Sequence, residues 1–311
     1  MDVVLVGPGA LGGLLAVHLT PVLEQTGGQL TVLDHNPDRA ARLARQGLTL
    51  VTGESKRHVR PRVCSDPRRV GQCELLLICV KSNDLATTLA SLSPLIRADT
   101  LVVGFQNGMT HVDLLRNTAG CAAAGVTALG ASLAGAGRIL FGGHGPTRLG
   151  LLSGEQGRPT LDRLLALLRQ AGLEASISGN ILTDLWQKLF VNVGINALTA
   201  IHNRKNGQLL TSCALRSTMK QAVNEAVAVA EQNRIPIMAD PIAATFAVCR
   251  KTRANVSSML QDVRRRKKTE IMAINGFVVG QGRELGIATP VNSELVNRIL
   301  AIEASWTENH A

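Results

Sequence analysis

Lys188, Asn192 and Asn196 stand four residues apart in the run Leu185-Trp186-Gln187-Lys188-Leu189-Phe190-Val191-Asn192-Val193-Gly194-Ile195-Asn196-Ala197-Leu198. On an α-helix each four-residue step advances only about 40°, so an ammonium and two carboxamides would line about 12 Å of one face. The rest of the run is almost wholly apolar, which predicts burial. Burying an ammonium and two amides is costly unless something polar satisfies them. That face is therefore expected to border a wet or ligand-filled cleft, and it has none of the mixed charge of a solvated helix surface.

Three other groups of residues accompany the stripe. Ser258, within Asn255-Val256-Ser257-Ser258-Met259-Leu260-Gln261-Asp262, and Glu270 would lie about 120° apart on one straight helix, so they could border a common site only over its flank. Lys81 follows the apolar run ending at Val80, and Gln106-Asn107-Gly108 follows Leu101–Gly104. Both sets are expected at the carboxyl ends of parallel strands, where ligands bind in open α/β sheets. The third group is Gly7-Pro8-Gly9-Ala10-Leu11-Gly12, a G-x-G-x-x-G loop directly after Val3–Val6 and before a helical pattern. Its glycines permit a tight turn, close backbone approach to a pyrophosphate, and close packing of helix on strand, while the helix N-terminus offers N–H groups to anionic oxygens. A dinucleotide is the expected ligand. Asp34 closes the second strand, where an acid would accept from the ribose 2′-hydroxyl of NAD; His35 and Arg39 follow, cations suited to the 2′-phosphate of NADP. The two signals conflict, and on these residues alone the balance falls slightly to NAD.

These residues need a βαβ frame, and the first half of the chain has its pattern. Strands are predicted at Val3–Val6, Leu30–Leu33, Leu75–Val80, Leu101–Gly104, Ala123–Leu129 and Leu173–Ile177, with helices over Ala10–Thr20, Pro37–Gln46, Asn83–Leu92 and Arg158–Gln170. After Gly179 strand signals cease. Leu215, Met219, Val223 and Val227 recur at helical spacing, and Asp240-Pro241 and Thr289-Pro290 read as helix starts with a capping side chain before proline. The expected fold class is α/β: a Rossmann-type doubly wound parallel sheet over residues 1–178, followed by an all-α domain over 179–311 that binds substrate.

Composition narrows the function. The 311 residues are 45% hydrophobic and 18% charged, which suits a soluble globular protein. There is no Tyr, so mechanisms that need a phenol as acid or base are excluded, and aromatic residues are only 2%, few for stacking nucleic acid. The net charge of +10 is mostly scattered. Its one dense run, Arg264-Arg265-Arg266-Lys267-Lys268, falls in a helical pattern and reads as a solvated face rather than a phosphate track. The six cysteines have no metal-ligand spacing and read as reduced core thiols; no metal site is expected. No leader-like segment precedes Val3, and Cys121–Gly137 is too glycine-broken for a span, so a cytoplasmic protein that binds neither nucleic acid nor membrane is expected. A homodimer is left open.

With these residues assembled, the chain resembles the ketopantoate reductase (2-dehydropantoate 2-reductase) family nearly end to end. The resemblance rests on Gly7 to Gly12, Val80-Lys81, Gln106-Asn107-Gly108-Met109, Leu185-Trp186-Gln187-Lys188-Leu189, Asn192 with Asn196, Asn203 to Gly207, Ser257 to Asp262, Thr269-Glu270-Ile271 and Ile274-Asn275-Gly276. It implies reduction of 2-dehydropantoate, a small 2-oxo acid, to D-pantoate with NADPH on the route to pantothenate and coenzyme A. It also implies Lys188 as general acid, with Asn107, Asn192, Asn196, Asn206 and Ser258 as substrate contacts. Gly7, Pro8, Gly9, Ala10, Leu11, Gly12, Asp34, His35, Lys81, Asn107, Ala131 and Glu270 would then meet the cofactor. The family usually ends its second strand with an arginine, whereas this chain has Asp34-His35. An NAD-linked D-2-hydroxyacid dehydrogenase on the same scaffold is the alternative, and a non-catalytic dinucleotide sensor the more distant one.

Overall fold

The computed structural model describes residues 1–308, and the chain divides into two units: Met1–Gln106 with His111–Ile181, and Asn107–Thr110 with the residues from Leu182 onward. The first unit runs β1 (Asp2–Val6), α1 (Ala10–Gln25), β2 (Gln29–Leu33), α2 (Pro37–Gln46), β3 (Leu48–Thr52), β4 (Ser55–Val59), β5 (Arg62–Cys64), β6 (Leu75–Ile78), α3 (Leu85–Leu92), β7 (Leu101–Gly104), α4 (His111–Arg116), β8 (Cys121–Thr127), β9 (Gly130–Leu133), β10 (Arg138–Gly143), β11 (Thr147–Ser153), α5 (Arg158–Gln170) and β12 (Ala175–Ile177). Its main sheet has the order β12-β11-β8-β7-β6-β1-β2-β5. From β5 to β8 every pairing is parallel, as in Val4 opposite Thr31 and Leu76.

Both faces of that sheet are covered, which is why β1 and β6 are apolar without alternation. Val3 and Leu5 join one core with Leu14, Leu15 and Leu19 of α1, while Val4 and Val6 join a second with Leu85 and Leu92 of α3. The doubly wound Rossmann-type sheet is thus present. Two features depart from the expectation. β11 runs antiparallel to β8, and β4-β3-β10-β9 form a separate four-stranded sheet. Five strands, within residues 48–64 and 138–153, lie outside those expected from the sequence. In β4 (Ser55-Lys56-Arg57-His58-Val59) only Val59 is buried, because the strand is a sheet edge guarded by charge. In β11, Gly150 interrupts the apolar pattern where a Cβ would fall 2.6 Å from that of Ile181. Helices shift less. α1 continues through Pro21 to Gln25, and the helix expected from Asn83 opens as a 3-10 turn over Ser82–Asp84 before α3.

The second unit contains α6 (Ile181–His202, of which Ile181 groups with the first unit), α7 (Cys213–Gln232), α8 (Pro241–Lys251), α9 (Ser258–Arg264), α10 (Asn275–Leu285) and α11 (Pro290–Glu308). No strand occurs among its described residues. Gly194 lets α7 and α8 close on α6, since a Cβ there would fall 2.8 Å from Thr245 Cγ2 and 3.0 Å from Val223 Cγ2. Phe190 is fully buried, and Trp186 stacks edgewise on Phe277 at 5.7 Å. On α7, Leu215, Met219 and Val223 are buried and Val227 is half-buried.

Two expectations are corrected here. The basic run does not continue a helix: α9 ends at its first member, Arg264, Arg265 caps it and Arg266 turns at φ +49°, and all five cations are exposed. The backbone closes the helix there, with Lys267 N donating to Asp262 O at 2.9 Å and Arg266 N to Val263 O at 3.0 Å around the left-handed Arg266, a Schellman-type C-terminal cap. Ser258 and Glu270 consequently share no straight helix; Glu270 precedes a separate 3-10 turn, Ile271–Ala273. The thiols are not all in the core either, since Cys213 is exposed and Cys64 and Cys79 are half-buried. No described helix is long and apolar enough to cross a membrane.

The two proline-linked helix starts are present, and Asp240 Oδ1 accepts from Ile242 N at 2.9 Å and Ala243 N at 3.1 Å. Asp240→Ala should lower stability by about 1 kcal/mol through loss of this cap, measurable as a reduced urea midpoint at unchanged slope.

Candidate active site

The glycine loop joins β1 to α1. Gly7 has φ +87°, a left-handed backbone, and a Cβ there would fall 2.8 Å from Val80 Cγ1; at Gly12 it would fall 2.2 Å from the Gly7 carbonyl oxygen. Gly9 differs, because a Cβ there meets only Gly7 O, at 4.0 Å. The empty space above Gly9 is therefore available to a ligand rather than filled by packing. Gly9 also caps α1 without a side chain, and no acid occupies the first turn, so the helix N–H groups and dipole face that space uncompensated. This cradle fits a pyrophosphate. Pro8 is buried with Gly12, while Ala10 and Leu11 are half-buried.

Beside the turn lies a recess of about 140 Å³ bordered by Gly7, Leu33, His35, Pro67 and Val80 among others. Asp34 does not open into it as a free carboxylate. Its side chain is 0% exposed and grips Arg39 through two contacts, Arg39 Nε on Oδ2 and Nη2 on Oδ1 at 2.6 Å, with Asn36 N on Oδ1 at 3.1 Å. Arg39 keeps 40% of its side chain exposed, and His35 keeps 87%. Lys81 is half-buried ahead of the 3-10 turn that leads into α3, and Ala131 is half-buried on β9 opposite Phe141.

In the helical unit, α6 carries the stripe in the expected phase. Lys188 and Asn192 are half-buried and Asn196 is 6% exposed. Desolvation by the surrounding apolar residues pulls the Lys188 ammonium down to about 8, partly opposed by the attraction of the Glu270 carboxylate. Glu270 is 7% exposed and accepts from Asn107 Nδ2 at 3.0 Å. Asn107 is held in turn by its neighbours: Met109 N donates to Ala273 O at 3.1 Å, and Gly108, at φ +79°, lies so close that a Cβ would fall 2.0 Å from the same oxygen. Only glycine permits that approach. One group thus contains an ammonium of reduced basicity, a carboxylate beside it and a carboxamide orienting the carboxylate.

Asn206 is 7% exposed; its Nδ2 donates to Thr252 Oγ1 at 2.8 Å, while Oδ1 has no partner among the described residues. A buried acceptor left unpaired is costly, and a ligand hydroxyl would satisfy it. Ser258 is exposed at the first turn of α9. Two polar residues behind these were not singled out from the sequence: Thr199, fully buried, and Ser257, 6% exposed, whose hydroxyl oxygens lie 2.6 Å apart. Thr199 at three residues beyond Asn196 and a serine ahead of an apolar run were the available signals, but their pairing is a tertiary contact.

The family described as "Ketopantoate reductase PanE/ApbA" matches residues 3–154, and "Ketopantoate reductase PanE/ApbA C terminal" matches residues 180–303. The 2-dehydropantoate 2-reductase of Vibrio cholerae is 32% identical over 311 residues, covering 99% of this chain and 100% of that protein. The enzyme of the same name from Halobacterium salinarum is 31% identical, covering 96% and 98%. Among solved structures, a PanE/ApbA family ketopantoate reductase from Ralstonia eutropha JMP134 superposes with a TM-score of 0.88 at 29% identity, covering 98% of this chain and 99% of that one. D-mandelate dehydrogenase with NADH and anilino(oxo)acetate shares the fold, with a TM-score of 0.87 at 24% identity and coverage of 98% and 99%.

The two glycines separate packing from binding. Gly108→Ala should cost about 1–3 kcal/mol in thermal or urea unfolding, from the clash and the unfavourable backbone. Gly9→Ala should cost under about 1 kcal/mol yet weaken dinucleotide binding by an order of magnitude or more in a fluorescence titration.

Proposed function

The chain belongs to the PanE/ApbA ketopantoate reductase family and is a 2-dehydropantoate 2-reductase using a nicotinamide dinucleotide; on that premise we propose that Lys188 is its proton donor and that NADP(H) is its cofactor. The lowered basicity of Lys188, in line with two carboxamides on α6, carries the reading. When bound, the reduced nicotinamide supplies the hydride that reaches the 2-oxo carbon, giving D-pantoate. The Lys188 ammonium donates a hydrogen bond to the ketone oxygen, stabilises the negative charge that grows there, and passes its proton to form the alcohol. The neutral amine then recovers a proton from solvent.

A donor at about 8 remains mostly charged at neutral pH, yet releases its proton far more readily than an ordinary lysine. Glu270 keeps it charged against desolvation, and Asn107 fixes the carboxylate that does so. Asn192 and Asn196 can hold substrate oxygens without adding charge. Asn206, with its unpaired buried oxygen, suits a substrate hydroxyl, and Ser258 at the exposed start of α9 suits a further substrate contact. A non-catalytic sensor would gain nothing from an ammonium desolvated in this way.

The cofactor assignment follows from Asp34. A free carboxylate at that strand end would repel a 2′-phosphate, but this one is buried and already saturated by Arg39 and the Asn36 N–H. What the rim leaves accessible is part of the Arg39 guanidinium and most of the His35 imidazole, groups that can receive a phosphate. The Gly7–Gly12 loop would hold the pyrophosphate, with Lys81 and Ala131 as neighbours of the cofactor.

Three kinetic outcomes are expected. The kcat/KM for reduction should fall as pH rises through about 8, because the donor must be protonated, while oxidation of D-pantoate rises through the same value. Lys188→Ala should lower kcat by about 10²–10⁴ with dinucleotide affinity nearly unchanged; near-normal turnover would refute the role. Arg39→Ala should raise the KM for NADPH about tenfold or more and that for NADH far less, since it removes the phosphate partner and releases the Asp34 charge. Equal effects on both cofactors would refute the assignment.

A further inference from the structure

The Thr199 and Ser257 hydroxyls lie off the proposed reaction path, but their bonds can be assigned completely. Thr199 Oγ1 donates to the Asn196 carbonyl oxygen at 2.8 Å, which uses its only proton. The 2.6 Å contact between Thr199 Oγ1 and Ser257 Oγ must therefore be donated by Ser257. Ser257 Oγ in turn accepts from Leu260 N at 3.1 Å, as the N-cap of α9. The result is a one-way chain from Leu260 N–H through Ser257 and Thr199 to the Asn196 carbonyl, with each hydroxyl donating once and accepting once. It ties the first turn of α9 to the backbone of α6 in a region where Thr199 is fully buried and Ser257 nearly so.

Each end of this chain adjoins a proposed substrate contact. Asn196 carries one, and Ser258, next in sequence to Ser257 and the first residue of α9, is another. We infer that Thr199 and Ser257 are positioning residues that fix Ser258 against Asn196, and so set the enzyme's affinity for the 2-oxo acid without touching it. The inference rests on the reading of Asn196 and Ser258 as substrate contacts. Capping α9 needs only Ser257; Thr199 is needed for the link to α6. A valine at 199 keeps the shape but leaves the Ser257 proton with no acceptor, so the chain breaks and the helix start loses its anchor. A serine at 199 restores every bond.

Steady-state kinetics of the full-length enzyme test this. Thr199→Val should raise the KM for 2-dehydropantoate about tenfold with the dinucleotide KM within about twofold, while Thr199→Ser stays within about twofold of wild type for both. In a Ser258→Ala background the Thr199→Val effect should shrink to below about threefold, because its route to substrate has been removed. If Thr199→Val does not fold, Ser257→Ala carries the same expectation. An unchanged 2-oxo acid KM in Thr199→Val, an equal rise in both KM values, or full additivity with Ser258→Ala would overturn the positioning role. If Ser258→Ala and Asn196→Ala themselves leave the 2-oxo acid KM unchanged, the substrate reading is what fails, and the inference falls with it.

Discussion

Everything in the chemistry proposed for the helical unit depends on shielding one ammonium from water. Lys188 sits on a helix whose other faces are packed with Leu185, Trp186, Leu189, Phe190 and Val193, all nearly or fully buried. That packing disfavours the charged form and brings the group to about 8. A lysine on a solvated face would keep its proton too tightly to be a good donor at physiological pH. A lysine fully buried without a counter-charge would lose it altogether. Glu270 holds the balance between these outcomes, and the closeness of Gly108 to the Ala273 carbonyl holds Asn107, which orients Glu270.

The same logic of occupied partners governs the nucleotide end. Asp34 and Arg39 neutralise one another, so a residue that in isolation argues for NAD does not present its charge. The glycine loop works by the opposite means, leaving the backbone N–H groups of α1 without a side-chain cap and the space over Gly9 open. In both cases the state of a side chain or backbone group is set by what already satisfies it, which residue type alone does not report.

Much of this was legible in the sequence because it is local. The phase of Lys188, Asn192 and Asn196 follows from helical spacing, and the glycine loop from its place between an apolar strand and a helix. Asp240-Pro241 and Thr289-Pro290 marked their helices through short-range capping. What was not legible depends on contacts distant in sequence. The edge strand Ser55–Val59 is charged because of its place in a sheet, and β11 turns antiparallel through pairing with β8. The Arg264–Lys268 run looked helical by composition, yet the left-handed turn at Arg266 ends α9 at Arg264 and detaches Glu270 from the line of Ser258. The Asp34–Arg39 pair, five residues apart, was within reach of the sequence as two charges but not as a bond. The Thr199–Ser257 bond spans 58 residues and has no one-dimensional signature.

The most direct test is a titration of the Lys188 side chain itself. With isotope-labelled lysine in the full-length enzyme, and the resonance assigned by its loss in Lys188→Arg, the midpoint is expected near 8, falling further in Glu270→Gln as the opposing attraction is removed. A midpoint near 10.4, the value of a solvated lysine, and indifferent to Glu270, would contradict the desolvated donor on which the mechanism stands.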